Sequence, residues 1–220
     1  MIAFDNVTKI YQENWIGLSE ISTRIEKGEF VFVHGPSGAG KSTFLKLIYI
    51  EESPNLGRVF VFDNDLSQIK PKDIPKLRRR IGVIFQDFKL LKDRTVEENI
   101  AFALEVIGTP AREVKKQVLK ALTWIKLSHK KGSYPYQLSG GEQQKIAIAR
   151  ALVRDPFILL ADEPTGNLDD QSAEEIMDLL YQINLQGTTV VMATHDFNLI
   201  KRSKKRYIKL LQGRLVEDVP

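Results

Sequence analysis

A glycine-rich segment with the chemistry of a phosphate-binding loop occupies residues 35–42. Its sequence is Gly-Pro-Ser-Gly-Ala-Gly-Lys-Ser, in which bare glycine backbone lets N–H groups approach phosphate oxygens closely. Lys41 would bring a positive charge to the β and γ oxygens, and the Ser42 hydroxyl could bind Mg²⁺. We therefore predict a nucleotide site formed by Gly35, Pro36, Ser37, Gly38, Ala39, Gly40, Lys41, Ser42 and Thr43.

Two adjacent acids end an apolar run farther along the chain. Asp162 and Glu163 follow residues 157–161, which have the pattern of a buried strand. Open α/β sheets gather ligand groups at the carboxyl ends of their strands, so Asp162 is predicted to hold Mg²⁺ and Glu163 to activate water as a general base. A plain strand-end turn, which Pro164 would also suit, is the alternative. The phosphate loop in the same chain favours the catalytic interpretation.

A third segment, Leu138-Ser-Gly-Gly-Glu142, lies between the other two and is called the signature segment below. Ser139 and Glu142 have the spacing of a helix capping box. Capping does not require two glycines, whereas bare backbone at a helix start suits close approach to a phosphate. A single nucleotide site does not need this second phosphate-facing surface. The segment therefore predicts a dimer.

The pattern of apolar residues predicts the elements that position these groups. Strand-like alternation occupies the first 30 residues, and a further strand is expected at residues 58–62. Short apolar runs typical of parallel strands covered on both faces lie at residues 30–33, 81–85, 157–161 and 189–194. Helical spacing follows the glycine-rich loop over residues 42–50, so the loop has the strand–loop–helix context that phosphate binding requires.

Between about residues 87 and 154 the strand pattern stops. Helical spacing takes over at residues 96–107, 111–127 and 142–154. We expect a single α/β domain over residues 1–220, with a core from residues 1–86 and 155–220 and an inserted helical subdomain at residues 87–154.

Composition and charge limit the classes of protein that fit. The 220 residues are 43% apolar and include no cysteine, which excludes disulfides and thiolate metal sites. No signal-peptide pattern opens the chain, and no apolar run reaches the roughly 18 residues of a membrane span, so we expect a cytoplasmic chain. The net charge of +4 comes from one basic run, Lys201, Arg202, Lys204, Lys205, Arg206 and Lys209. Such a run is usually a solvated face, with an anionic membrane or nucleic acid as the alternatives.

Taken in order, the motifs resemble those of ABC-transporter-type ATPases over nearly the whole chain. The matching residues are Gly35 to Ser42, Gln86, Leu138 to Glu142, Asp162-Glu163, Asn167 to Asp169 and His195. Longer segments, such as Ile81-Gly-Val-Ile-Phe-Gln-Asp87, are similar to the FtsE family of cell-division ATPases and partly to lipoprotein-release and macrolide-export ATPases. The resemblance implies a P-loop NTPase (RecA-like) core, an N-terminal antiparallel β subdomain and an inserted α-helical subdomain.

The resemblance also implies roles that spacing alone does not give. Tyr11 would stack on adenine, Gln86 would link the γ-phosphate and Mg²⁺ to the helical subdomain, and His195 would contact the γ-phosphate. Two copies would close head to tail around two ATP molecules, each site taking its signature segment from the other copy. The expected catalytic residues are Lys41, Gln86, Glu163 and His195; the Mg²⁺ ligands are Ser42, Gln86 and Asp162; and the opposite copy contributes Ser139, Gly140, Gly141 and Glu142.

An FtsE-like ATPase implies an FtsX-like integral membrane protein as partner, control of cell-wall hydrolysis as output and a peripheral location at the cytoplasmic face of the inner membrane. The alternative is the ATPase of a lipoprotein-release or macrolide-type exporter. A chromosome clamp is a hypothesis from another class, but the chain between Lys41 and Leu138 is too short for its long coiled coil. A kinase would have no use for the signature segment. We therefore expect ATP and Mg²⁺ but no nucleic acid.

Apolar residues near Gln86 raise the question of where such a partner would dock. We expect some of them to form a groove for a cytoplasmic helix of the membrane partner and the others to pack internally. They are Phe88, Leu90, Leu91, Ile100, Phe102, Leu104 and Ile107.

Overall fold

The computed structural model describes residues 1–12 and 15–220. Within them the strands are β1 (Ile2–Ile10), β2 (Ile16–Ile25), β3 (Phe30–His34), β4 (Leu56–Val61), β5 (Asn64–Asp65), β6 (Ile81–Ile84), β7 (Ile158–Asp162), β8 (Thr189–Thr194), β9 (Tyr207–Leu211) and β10 (Arg214–Val219). The helices are α1 (Lys41–Ile48), α2 (Ile74–Arg78), α3 (Val96–Glu105), α4 (Ala111–Trp124), α5 (Gly140–Leu152), α6 (Asp170–Leu185) and α7 (Phe197–Ser203).

A six-stranded sheet forms the centre of the molecule, with strand order β10-β9-β3-β8-β7-β6. Neighbouring strands from β9 to β6 run parallel, and β10 pairs with β9 in the antiparallel sense. Alternate residues of β3 pack on opposite faces: Val31 and Val33 lie in the cluster that includes α1, whereas Phe32 lies in the cluster that includes α6. Burial on both faces explains why these strands are continuous apolar runs in the sequence.

A smaller antiparallel sheet, with strand order β2-β1-β4-β5, covers α1 on its other side. Ile2 and Phe4 of β1 are buried, and the Phe4 ring stacks on Phe44 of α1 with 4.2 Å between ring centroids. This arrangement confirms the predicted α/β fold with an antiparallel sheet formed by the N-terminal part of the chain.

Residues 85–157 are all described, and none of them lies in a strand. Helices α3, α4 and α5 bury their own apolar cluster, which includes Ile100, Leu122 and Ile146. The opposite side of α5 packs on the core, because Ile148 and Ala151 belong to the cluster of Phe32. Since α5 is shared in this way, the division at residues 87 and 154 stays a prediction.

The C-terminal part contains elements that the sequence analysis did not predict, namely α6, α7 and the β9–β10 hairpin. Arg206 pairs with Glu29 at 3.0 Å and with Asp218 at 2.8 Å, and it holds the pKa of the Asp218 carboxyl below its usual value. Lys209 lies 2.6 Å from Glu217. Two cations of the basic run therefore serve to fix the hairpin. Among the described residues, no helix combines the length and apolar character needed to cross a bilayer.

Candidate nucleotide site

The glycine-rich loop joins the end of β3 to the start of α1. Gly40 is the N-cap residue of α1 with φ 103°, and in the described chain no side chain caps this helix. A Cβ at Gly40 would lie 2.3 Å from the carbonyl oxygen of Gly17, so the position requires glycine for space as well as for φ. Pro36, Ser37 and Gly38 are exposed. The loop thus presents bare backbone at a helix start, where anions bind.

Lys41, the first residue of α1, is 6% exposed and directed back into the loop. Its Nζ donates to the carbonyl oxygens of Gly35 at 2.8 Å and Pro36 at 3.1 Å. The same Nζ lies 3.2 Å from Oε1 of Glu163. The ammonium is therefore held in the centre of the loop by two dipoles and one carboxylate.

Glu163 follows β7 in the left-handed region, at φ 46°, and its N–H donates to the carbonyl oxygen of Ala193 in β8. Its second carboxylate oxygen, Oε2, lies 2.8 Å from Nδ1 of His195, which follows β8. The Glu163 side chain is 15% exposed and that of His195 is 58% exposed. The ends of two adjacent strands thus bring the predicted base and the predicted histidine into direct contact, and Lys41 joins them.

Asp162 lies at the last position of β7, beside Glu163. Burial raises the pKa of its carboxyl, the Glu163 charge raises it further, and a hydrogen bond with Ser42 and the Lys41 charge act in the opposite direction. A cation at this point would favour the ionised carboxylate that burial disfavours.

The described residues contain no cluster of three or more His, Cys, Asp or Glu side chains suited to a metal ion. The candidate Mg²⁺ ligands beside the loop are therefore one carboxylate, that of Asp162, and one hydroxyl, that of Ser42. This sparse oxygen donor set fits Mg²⁺, which usually keeps several waters and binds together with substrate phosphates.

Tyr11 lies beside the loop. Its hydroxyl is 3.2 Å from Oγ1 of Thr43, and its ring stacks against Trp15 with 4.9 Å between centroids. Trp15 is 52% exposed and was not among the predicted site residues. An aromatic pair with one exposed member, next to a phosphate loop, can accept a flat base.

The signature segment begins α5. Ser139 Oγ accepts from the Glu142 N–H at 3.2 Å while Glu142 Oε2 accepts from the Ser139 N–H at 2.9 Å, which confirms the predicted capping box. Gly140 lies against Leu168 and Gly141 against Ser172. Within the described chain, no hydrogen bond or ion pair joins residues 139–142 to residues 35–43. The structure therefore brings Lys41, Asp162, Glu163 and His195 together but leaves the signature segment outside this group.

Gln86 is exposed just beyond the end of β6. The residues after it are held by two side chains that the sequence analysis missed. Arg150 donates to the carbonyl oxygens of Phe88 and Lys89, and the fully buried Asn99 bonds the backbone of Leu91. The Arg150 contact spans about 60 positions of sequence, and no short motif indicates it.

The predicted apolar groove is only partly available. Ile100 and Leu104 are buried at 0% and 4% exposure in the cluster of α3, α4 and α5, and Leu90 packs against that cluster. These three are therefore among the residues that pack internally, and they are not available to a groove. Phe102 is 38% exposed, and Phe88, Leu91 and Ile107 are partly exposed.

A concavity of about 1020 Å³ lies elsewhere, at the amino ends of β7 and β8, and is lined by Trp124, Phe157 and Thr188 among others. Ligands of open α/β sheets bind at the carboxyl ends of the strands, where Lys41 and Glu163 meet. The glycine-rich loop, rather than this concavity, is therefore the candidate nucleotide site.

Known proteins resemble this chain over nearly its whole length. Residues 18–166 match the family described as ABC transporter. The cell division ATP-binding protein FtsE of Bacillus subtilis is 52% identical over 218 residues, covering 99% of this chain and 96% of that protein. FtsE of Escherichia coli is 46% identical over 215 residues, with 98% and 97% covered.

Solved structures show the same fold. An ATP-binding cassette described as a dimer in a post-hydrolysis state, bound to ADP and Pi, superposes with a TM-score of 0.90 at 38% identity, covering 99% of this chain and 97% of that one. A dimeric bacterial ABC transporter cassette matches equally well, with a TM-score of 0.90 at 39% identity over the same shares of both chains.

Proposed function

The chain belongs to the FtsE family of ABC-transporter-type ATPases, and on that premise we propose that it drives a membrane partner during cell division. It is an ATPase that converts ATP and water to ADP and phosphate, and it works as a homodimer. The observation that carries the proposal is the contact of Lys41, Glu163 and His195 at the loop, with the signature segment outside it. A site of this kind is completed by a second copy.

Each step of hydrolysis has a residue suited to it. Lys41 and the backbone N–H groups of the loop bind the β- and γ-phosphates, and Glu163 accepts a proton from the attacking water. The water oxygen forms a bond to the γ-phosphorus, and the bond from that phosphorus to the β–γ bridging oxygen breaks. His195 keeps the Glu163 carboxylate oriented and approaches the γ-phosphate.

Mg²⁺ would be held by Ser42 and Asp162 and, by family resemblance, Gln86, and when bound it neutralises phosphate charge. Tyr11 would stack on the adenine. Ser139, Gly140, Gly141 and Glu142 would face the γ-phosphate held by the other copy. ATP then binds the closed dimer better than the open one, which is what a ligand must do to shift a conformational equilibrium.

Closure of the dimer can act at the membrane only if a membrane protein binds the ATPase. In this proposal that partner is an FtsX-like integral membrane protein that controls cell-wall hydrolysis, and the ATPase binds it at the cytoplasmic face of the inner membrane. Support comes from the cell-division names of the FtsE relatives and from the exposed parts of Phe88 and Leu91 beside Gln86. These two side chains are the candidate contact with the partner.

The experiment is co-expression with an FtsX-like membrane protein, followed by membrane isolation. The native chain should sediment with membranes only when the partner is present, whereas Phe88→Glu and Leu91→Glu should remain in the supernatant. The matched control is Leu119→Glu, which changes an apolar side chain of α4 that is 58% exposed. It should still sediment.

Sedimentation of the folded Phe88→Glu and Leu91→Glu variants at the native level would refute this contact. Transport of a lipoprotein or a small molecule by the assembled complex would instead establish the exporter alternative.

A further inference from the structure

Arg150 holds a strained piece of backbone from the side of α5. Its Nη1 donates to the carbonyl oxygen of Lys89 at 2.6 Å, and its Nη2 donates to that of Phe88 at 2.8 Å. Phe88 and Lys89 lie in the left-handed region, at φ 59° and 47°, which side-chain-bearing residues adopt only when the surroundings impose it. The two hydrogen bonds from Arg150 supply this constraint, and its planar guanidinium can donate to two carbonyl oxygens at once.

Burial of the charged Arg150 guanidinium is energetically unfavourable. Burial lowers the pKa of Arg150, and in the described part of the chain no ion pair includes it. Its hydrogen bonds with backbone carbonyls are therefore the interactions that offset the burial of its charge. Loss of the side chain would leave both carbonyls without this donor.

Asn99 of α3 holds the next part of the same segment. Its Oδ1 accepts from the Leu91 N–H at 2.8 Å, and its Nδ2 donates to the carbonyl oxygens of Leu91, Arg94 and Thr95 at 2.9 to 3.1 Å. Residues 88–95, called the docking segment here, are thus tied to α5 and α3. Among the described residues, no hydrogen bond or ion pair joins them to residues 1–84 or 155–220.

Helix α5 has the signature segment at one end and Arg150 near the other. A helix rises about 1.5 Å per residue, so Gly140 and Arg150 are roughly 15 Å apart on one rigid rod. We propose that Arg150 is a positioning residue that couples the docking segment to α5, so that this segment moves with Ser139 and Gly140 when ATP closes the dimer. The proposal rests on the proposed function, and the turn at residues 85–87, after β6, is its hinge.

The experiment measures two distances by pulsed spin-label spectroscopy. Because the chain contains no cysteine, exposed Lys72, Lys92 and Lys115 can be replaced in pairs by cysteine and labelled without other thiols. The pair 72/92 reports the docking segment relative to the core, and the pair 72/115 reports α4, which packs with α5. Both are measured in Glu163→Gln protein with and without ATP, and an excess of unlabelled chain suppresses signals between copies.

The test variant is Arg150→Met, and the matched control is Arg154→Met, which removes a guanidinium just beyond α5 whose Nε has no partner in the described chain. ATP should shift both distances in the parent and in Arg154→Met. In Arg150→Met the 72/115 shift should persist while the 72/92 shift is lost.

Two results would overturn the coupling role of Arg150. If Arg150→Met keeps both shifts, the docking segment follows α5 without it; if it loses both, the residue supports α5 as a whole. Absence of any ATP-dependent shift in the parent is a separate result, and it would reject the proposed closure itself.

Discussion

Lys41 Nζ lies 3.2 Å from Glu163 Oε1, so the cation expected to bind phosphate and the expected base neutralise each other. The ammonium is 6% exposed and the carboxylate 15% exposed, which makes the pair far less screened than a surface ion pair. If Lys41 binds the β- and γ-phosphates as proposed, their entry would replace the carboxylate as its partner. The same exchange would direct Glu163 towards water, with His195 still bound to its other oxygen.

Glu163→Gln should therefore affect binding and turnover in opposite directions. Without the negative charge, Lys41 has no ionised competitor for phosphate, so both ADP and ATP should bind more tightly than to the native chain. Loss of the base should lower the hydrolysis rate by about 10²- to 10⁴-fold, so ATP-bound dimers should accumulate. Equilibrium binding of labelled nucleotides, phosphate release and size-exclusion chromatography with ATP measure the three effects.

Glu217→Gln provides the control, because Glu217 pairs with Lys209 on the C-terminal hairpin. That variant should leave nucleotide affinity and hydrolysis unchanged. Hydrolysis by Glu163→Gln at the native rate would rule out Glu163 as the base, and weaker nucleotide binding would rule out competition for Lys41.

Asp162 should make the nucleotide-free protein less stable as pH rises. Burial raises its folded-state pKa above 3.8, so folding takes up a proton between that value and the folded pKa, and stability falls with rising pH across this window. Above the folded pKa the cost of the buried charge is fully present. Asp162→Asn should raise Tm at about pH 8 without nucleotide or Mg²⁺, and the gain should shrink as pH falls toward the window.

Asp178→Asn, which changes an exposed carboxyl of α6, should show no such pH-dependent gain. If Asp162→Asn melts below the native protein at about pH 8, the hydrogen bond and charge contacts of the carboxylate outweigh the cost of its burial. Whether Asp162→Asn raises or lowers Tm, the variant should lose Mg²⁺-dependent ATP hydrolysis.

The two signature glycines should differ sharply in their tolerance of alanine. A Cβ at Gly141 would lie 2.6 Å from Oγ of Ser172, whose N–H and hydroxyl bond the Asp169 cap of α6, so Gly141→Ala should cost about 1–3 kcal/mol of stability. At Gly140 the nearest atom, in Leu168, would be 3.3 Å away, so Gly140→Ala should fold normally. Its defect should be in ATP-dependent dimerisation.

Thermal melts and chromatography with ATP in the Glu163→Gln background separate these two effects. Adding Ser172→Gly to Gly141→Ala should restore part of the lost Tm, since it removes the clashing atoms. Normal dimerisation of Gly140→Ala would argue against close approach of this glycine to a phosphate.

The sequence alone predicted an element or a cap correctly where the local residue pattern matches the burial and hydrogen bonds in the structure. Val31 to Val33 have the pattern of a buried parallel strand because both faces are covered, and Ser139 with Glu142 indicate a cap because the bonds are three residues apart. Arg150 and Asn99 were missed, because their partners are backbone groups whose positions depend on the fold. The β9–β10 hairpin was missed because the basic run was interpreted as a solvated face, whereas Arg206 is neutralised by Asp218 on the next strand and by Glu29, which is 177 positions away.

Tyr11 is the predicted site residue with the least support from spacing, and its stack with Trp15 offers a direct test. The chain has two tryptophans, so Trp124→Phe leaves Trp15, whose ring centroid is 4.9 Å from that of Tyr11, as the only tryptophan. If adenine stacks on Tyr11, ATP should change the Trp15 emission. Tyr11→Ala should weaken ATP binding by about 1–3 kcal/mol, which is roughly a 5- to 150-fold rise in Kd.

The control Tyr136→Ala removes a tyrosine that is 77% exposed and stacks on Tyr134, away from the loop. It should leave the ATP titration unchanged. An unaltered Kd for Tyr11→Ala would show that the base is held elsewhere, whereas an ATP-dependent Trp15 signal that persists in that variant would move the stacking role to Trp15 itself. Tripolyphosphate, which lacks a base, should leave the Trp15 emission unchanged while still competing for Lys41.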